Sequence, residues 1–242
     1  MKFCILTTDT DHHTYFINKI QEKFDISFIV YETSRLEFPY DTRSAFERSE
    51  KLFEKNFFFK GCPSIKQFKA PIFSVPSINN LEFKEFLEHN QVDFAIVFGC
   101  GRIKTHIIDL FPEGMINIHR GISRKYRGLD SDLWAAYNND FNNIGITLHY
   151  IEKGLDTGPI VFEGAIKIHA SCKIYELRAH TTLLATEKIL DFLDKKCKKI
   201  QVQASPQLPG KYYSAMAAQK KIVAESNFNH YVRTKSWKLQ YD

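Results

Sequence analysis

The chain of 242 residues carries a formal charge of +5, with 25% charged and 44% hydrophobic residues. That length suits one large domain, or a domain with an extension, burying roughly 70–75% of its unfolded surface, and so modest a basicity does not single out nucleic acid as a partner. Five cysteines, Cys4, Cys62, Cys100, Cys172 and Cys197, odd in number and never in a Cys-x-x-Cys pair, argue against a disulfide framework or a zinc site and for a reducing, cytoplasmic setting.

Met1 leads into KFCILTTDT, which turns polar too soon for a signal peptide, and no apolar run approaches the roughly 20 residues that span a bilayer, so no membrane partner is expected. KFCILTT reads as a buried strand. A helix over about 12–23 follows, with Phe16, Ile17 and Ile20 on one face, and then ISFIVYE as a second strand. The β-α-β opening predicts an α/β fold: a mostly parallel, Rossmann-like sheet with helices on both faces, whose ligands gather outside the carboxyl ends of its strands. Residues 1–60 contain no glycine, so the first turn has neither a G-x-G-x-x-G fingerprint nor a Gly-rich phosphate loop, which argues against a dinucleotide-binding dehydrogenase.

Residues 42–58 are helical in composition, with Phe46, Phe53 and Phe57 near one face. A short strand is expected over 70–75, between Pro71 and Pro76, and Asn80 can cap a helix running to about His89. Asp93–Phe98 is a near-continuous apolar run, the mark of a central parallel strand. The turn after it, Gly99-Cys100-Gly101-Arg102-Ile103-Lys104, has two glycines that free its backbone angles. Cys100 reads as a small packed residue rather than a nucleophile.

The stretch from Met115 to Val161 brackets two polar clusters with β-prone segments. MINIH alternates as a short strand, so Asn117 and His119 share a face. The loop RKYRGLDSD, a short helix over 133–137, the strand IGITLHYI and the turn EKGLDTG with Asp156 follow. One helix and one returning strand can bring Asp156 back beside the imidazole. An Asn-x-His pair alone is most often a hydrogen-bonded strand end; the LDTGPI turn at this distance is what gives it weight. Adjacent His12 and His13 lack the spacing of a metal pair, His149 reads as a satisfied core or cleft histidine, and no metal is expected. IVFEGAIKI is a further strand and 174–193 an amphipathic helix using Leu177, Leu184, Ile189 and Leu193. The basic run 195–199 is a solvated helix end. The compact domain is expected to close near residue 200. A C-terminal extension, 201–242, would begin with the break SPQLPG and continue in KYYSAMAAQKKIVAE as a helix, and a homodimer contact or a substrate-side element are uses open to it.

Asn117-x-His119, Tyr126-Arg127-Gly128, Trp134, Gly145-x-Thr147-x-His149 and Leu155-Asp156-Thr157-Gly158-Pro159-Ile160 together resemble the signature of the folate-dependent formyltransferases, which include glycinamide ribonucleotide, methionyl-tRNA and nucleotide-sugar N-formyltransferases. The resemblance covers 93–161 well and the rest in outline. It implies the formyltransferase fold and N10-formyltetrahydrofolate as co-substrate. It also implies Asn117, His119 and Asp156 as catalytic residues, and Arg102, Ile103, Lys104, Glu152, Lys153 and Asp156 as folate-binding residues, the 102–104 turn gripping the pterin through its backbone. These side chains suit formyl transfer: Asn117 to donate to the developing oxyanion, His119 to move protons or, when charged, to stabilise that oxygen, Asp156 to hold the imidazole and carry a proton through a bound water.

Where many family members have a Pro-Ser-Leu-Leu-Pro run after the histidine, this chain has Arg120-Gly121-Ile122-Ser123-Arg124, which suits an anionic co-substrate or is a solvent-facing loop. By resemblance the acceptor is a nucleotide-linked amino sugar, a dTDP- or GDP-4-amino-4,6-dideoxyhexose of surface (lipopolysaccharide, O-antigen) polysaccharide biosynthesis, met by Arg120, Tyr126 and Arg127. The glycine-free first turn lowers the ribonucleotide acceptor. The short tail, set against the C-terminal barrel of methionyl-tRNA formyltransferases, lowers the tRNA acceptor, so no nucleic-acid partner is expected. A hydrolase releasing formate, or a folate- or nucleotide-sugar-binding protein without turnover, are the competing readings.

Overall fold

The computed structural model describes residues 1–241 apart from 35, 65, 155 and 209, with side chains as far as 235. Residue 155 of the LDTGPI turn and residue 209 of the SPQLPG break therefore lie outside the described residues. Strands β1 (Phe3–Thr7), β2 (Ile29–Glu32), β3 (Ile72–Val75), β4 (Phe94–Phe98) and β5 (Met115–His119) alternate with helices α1 (Asp11–Gln21), α2 (Glu47–Phe59), α3 (Leu81–His89) and α4 (Thr105–Ile108). There follow β6 (Tyr126–Gly128), α5 (Ser131–Tyr137), β7 (Gly145–Tyr150), β8 (Ile160–Ala165), α6 (Leu177–Cys197), β9 (Lys211–Tyr213) and α7 (Ala218–Tyr241).

Seven strands form one sheet in the order β3-β2-β1-β4-β5-β7-β8. The first five are parallel, and β7 and β8 return antiparallel. Strands β1 and β4 are buried along their whole length, as their unbroken apolar runs require in a sheet covered on both faces. One face packs Phe16, Ile17 and Ile20 of α1 and Ile189, Phe192 and Leu193 of α6 against Ile5, Ile96, Ile116 and Ile118. The other packs Phe83 and Leu87 of α3 and Ile107 of α4 against Leu6, Val97 and Met115. Asn80 caps α3 as its side chain predicts, accepting from the Phe83 N–H. Among the described residues no helix is long and apolar enough to cross a membrane.

The structure differs from the sequence reading in several places, and the stretch RKYRGLDSD, read as a loop, contains the strand β6 because its backbone pairs with a distant segment. Helix α2 begins at Glu47 rather than near residue 42, because Asp41 takes the Arg43 N–H in a local turn and offers its carbonyl to the Ala218 N–H. The segment KYY is a strand, not the start of a helix. Its β-prone tyrosines pair in parallel with β6, Arg127 opposite Tyr212, and the helix starts only at Ala218. From there Met216, Ala224 and Phe228 enter a second core with Tyr126, Trp134 and Phe141, and the Trp134 indole donates to the Ser214 carbonyl. The described part of the 201–242 stretch thus lies over α5 and β6, beside the loop that follows His119.

Candidate active site

The antiparallel pairing of β5 with β7 sets Asn117 opposite His149 and His119 opposite Thr147. With Ile116 and Ile118 turned into the sheet core, the alternation of the strand sends Asn117 and His119 to the other face. Asp156 arrives on the turn between β7 and β8, at φ +49°, a left-handed conformation uncommon for a residue with a side chain. The Asn117 amide nitrogen lies 3.2 Å from Asp156 Oδ1 and 3.1 Å from His149 Nε2. His119 Nδ1 lies 3.7 Å from Asp156 Oδ2 and His149 Nε2 3.4 Å from Oδ1. The carboxamide, imidazole and carboxylate, separated by up to 39 residues, therefore meet in one cluster, and His149 joins it.

The partners settle the proton positions. His119 Nε2 donates to the Tyr126 carbonyl at 2.7 Å, which leaves Nδ1, facing Asp156, as the atom that titrates. His149 Nδ1 donates to the Tyr150 carbonyl, so its Nε2 accepts from Asn117. Both amide protons of Asn117 are then engaged. Burial pushes the His119 imidazole below its ordinary 6.5, against the opposing pull of Asp156 and the Tyr126 carbonyl. For Asp156 burial pushes upward, but the two histidines and the Gly128 N–H, 3.0 Å from Oδ2, outweigh it and hold the carboxyl at about 2. The pair stands at neutral pH as a neutral imidazole facing a carboxylate.

Gly121 and Gly128 are needed as glycines. A Cβ on Gly121 would stand 2.5 Å from Ser131 Cβ and 2.7 Å from His119 Nε2. Gly128 sits at φ +92°, and a Cβ there would collide with the Tyr213 carbonyl. Gly121→Ala is expected to destabilise the fold by about 1–3 kcal/mol through overpacking and to displace the His119 ring. Denaturant unfolding and imidazole NMR check both; an undisturbed ring would contradict the placement.

The remaining site residues divide. Glu152 and Lys153 line a cavity of about 430 Å³ between α4 and the turn after β7, walled also by Ile108 and Ile151. Arg102 crosses to this turn, donating to the Lys153 carbonyl. Ile103 is buried in the core, and at the surface Asn79 donates to the Arg102 carbonyl and accepts from the Lys104 N–H. Arg120 lines a second cavity of about 270 Å³, contacting Asp132 at 3.2 Å. Tyr126 and Arg127 do not reach it. The Tyr126 phenol turns into the second core and donates to Asp140, so its contribution is the carbonyl under His119. Arg127 donates to the Gly210 carbonyl. His12 and His13 are buried on the first turn of α1, and burial keeps both imidazoles uncharged. Cys172 and Glu176, just before α6, and His180 in its first turns bring one donor atom each within 4.8 Å of one another. Burial and Glu176 push the Cys172 thiol up to about 12.

Sequence reasoning left out His149 as a partner of Asn117, the Gly128 N–H and the charged lining of the second cavity. Only the first had a signal: the GITLHY alternation places Thr147 and His149 on one face.

A family model described as formyl transferase matches residues 20–192, and the chain belongs to that family. Curated relatives include the methionyl-tRNA formyltransferase of Kosmotoga olearia, 29% identical over 143 residues, 59% of this chain and 45% of that protein. Another is the bifunctional polymyxin resistance protein ArnA of Wigglesworthia glossinidia brevipalpis, 29% identical over 146 residues, 59% of this chain and 22% of that protein. The match thus spans less than half the length of either. Among solved structures, a 4-N formyltransferase from Francisella tularensis superposes with a TM-score of 0.60 at 16% identity, covering 93% of this chain and 86% of that one. Rv3404c of Mycobacterium tuberculosis, described as a likely sugar N-formyltransferase, gives 0.60 at 17%, covering 88% and 75%. At such identities these two show the shared fold.

Proposed function

We propose that the protein is an N-formyltransferase that takes its formyl group from N10-formyltetrahydrofolate and passes it to the amine of a nucleotide-linked amino sugar. The observation that carries this reading is the meeting of Asn117, His119, His149 and Asp156 around one point, with an apolar-walled cavity lined by residues 151–154 of the turn that leads to Asp156. Ile108 and Ile151 offer faces for a flat heteroaromatic ring, and Asp109, Glu152 and Lys153 offer polar edges. The folate supplies the formyl carbon and the nitrogen that leaves.

What this chain's residues do follows from their protonation. Neutral His119 accepts at Nδ1 the proton shed by the attacking amine, and the imidazolium so formed faces the Asp156 carboxylate, which stabilises it. The same proton then goes to the leaving nitrogen. Asn117 exchanges its longer bond, to Asp156, for one to the negative charge that develops on the formyl oxygen. His149, accepting from the same amide, keeps it oriented.

The second cavity supports a charged acceptor. Arg43, Lys51, Arg120, Arg178 and Lys221 line it together with Glu47, Glu50, Asp130 and Asp132, so cations can re-pair with a diphosphate while carboxylates meet sugar hydroxyls and the amine. A solved N-formyltransferase from Helicobacter canadensis with folinic acid and dTDP-3-aminofucose superposes with a TM-score of 0.55 at 17% identity, which makes a dTDP- or GDP-linked amino sugar the acceptor to try first, and surface polysaccharide biosynthesis the setting. The 29% identity to a methionyl-tRNA formyltransferase favours the second reading, transfer to charged tRNA. Incubating the protein with N10-formyltetrahydrofolate and, separately, dTDP-, UDP- and GDP-amino sugars, methionyl-tRNA, glycinamide ribonucleotide and water decides between them by tetrahydrofolate release and product mass. Formylated sugar is the expected product; transfer confined to tRNA, or formate alone, would refute the sugar acceptor.

A further inference from the structure

The chain between β8 and α7 contributes a side chain to the site that neither family motif nor spacing points to. Gln207, half-buried, donates from Nε2 to the Asp156 carbonyl at 2.6 Å, and its Oε1 accepts from the Ser123 hydroxyl at 2.6 Å. Because a carbonyl demands a donor, the amide orientation is fixed by chemistry. Ser123 is itself fully buried and anchored: its N–H donates to Thr147 Oγ1, whose hydroxyl donates to the Gly121 carbonyl two residues beyond His119. A continuous run of hydrogen bonds thus joins the His119 loop, strand β7 and the Asp156 turn through one glutamine.

The same stretch of chain also braces the strand that holds the carboxylate. Gly128 gives its N–H to Asp156 Oδ2, and β6, where Gly128 lies, pairs with β9 only four residues past Gln207. Ser205 exchanges two backbone bonds with Ile160, at the far end of the turn. A left-handed aspartate persists only where its surroundings over-determine it, and here Gly128, Ser205 and Gln207 fasten the turn.

The structure assigns Gln207 as a positioning residue that, by bridging Ser123 and the Asp156 carbonyl, holds the catalytic carboxylate facing His119. The inference rests on the formyl-transfer reading of the cluster, and its test separates the two. The groups facing His119 are Asp156, which raises its affinity for a proton, the Tyr126 carbonyl, which also raises it, His149, which lowers it, and the more distant Asp132. Gln207→Leu removes both bonds without adding charge. Ser123→Ala removes only the anchor.

In Gln207→Leu the His119 imidazole, followed by NMR, is expected to titrate at lower pH than in the wild type, because the carboxylate has drifted from it. The value of kcat is expected to fall roughly ten- to a hundredfold, with KM for N10-formyltetrahydrofolate within about twofold. Ser123→Ala should shift both readouts in the same direction by less. An unchanged titration with unchanged kcat overturns the assignment, and so does a lower melting temperature with an unchanged titration, which would mark a merely structural contact. A shifted titration in a protein whose wild type transfers no formyl group to any acceptor would count against formyl transfer while sustaining the role of Gln207.

Discussion

His119→Ala protein is expected to remain folded and to lose about 10²–10⁴ of its formyl-transfer rate, the usual worth of a positioned acid–base group. Among the described residues the ring makes one hydrogen bond, to the Tyr126 carbonyl, so its removal costs on the order of 1–3 kcal/mol for one unpaired buried acceptor, less than a typical domain's stability. Asn117→Ala should lose a comparable part of the rate, about 10²–10³-fold, because it removes the donor nearest the reacting centre. The pH profile tests the same assignment. Neutral His119 is the working form and burial lowers its proton affinity, so the rate should hold as pH falls past 6.5 and drop only below it. Asp156→Asn should move that acid limb lower still, since the carboxylate is what raises the imidazole. Wild-type turnover in well-folded His119→Ala would remove His119 from the chemistry.

The largest stability effect is expected at Arg178. This guanidinium reaches Glu54 through Nε and Nη2, at 2.5 and 2.8 Å, and Glu50 through Nη1 at 2.8 Å. Glu54 is 1% exposed, and its other nitrogen contact among the described residues is His12, kept neutral by burial and by Arg178. Arg178→Met would leave an unpaired carboxylate inside the protein and should destabilise it by about 3–5 kcal/mol, as breaking a buried pair from one side does. Adding Glu54→Gln should recover part of the loss. A single variant as stable as the wild type by denaturant unfolding would show the pair to be solvated.

The neighbouring Glu50 gives the pH dependence its sign. Burial pushes its carboxyl from 4.5 up to about 7, outweighing Arg178. Between those values the folded protein keeps a proton that the unfolded chain has released. The native state binds more protons there, so Glu50's contribution makes stability fall as pH rises from 4.5 to about 7 and levels off above. Without Arg178 the upper end of that window should move higher.

These two residues also show why the second cavity was the less legible half. The 42–58 stretch reads as a helix with phenylalanines near one face, and nothing in that pattern tells that the residue α2 buries is Glu54 while Phe57 is 42% exposed. Hydrophobic periodicity finds a helix but cannot see a guanidinium supplied from α6, 124 positions away. Likewise Tyr126 and Arg127 stand beside His119 along the chain, but β6 pairs with β9 and turns their side chains to the second core and to Gly210.

The elements that the chain states locally came through intact: the apolar runs of β1 and β4, the Asn80 cap, and the two-residue step that puts Asn117 and His119 on one face. Each depends on neighbours within a few positions, where backbone sterics and strand alternation act without knowledge of the rest. The register that faces His149 with Asn117, the left-handed turn that aims Asp156, and the glutamine that fastens it became fixed only when distant segments packed together. Their hydrogen bonds join residues 32, 39 and 51 positions apart, and no local preference encodes a partner at that range.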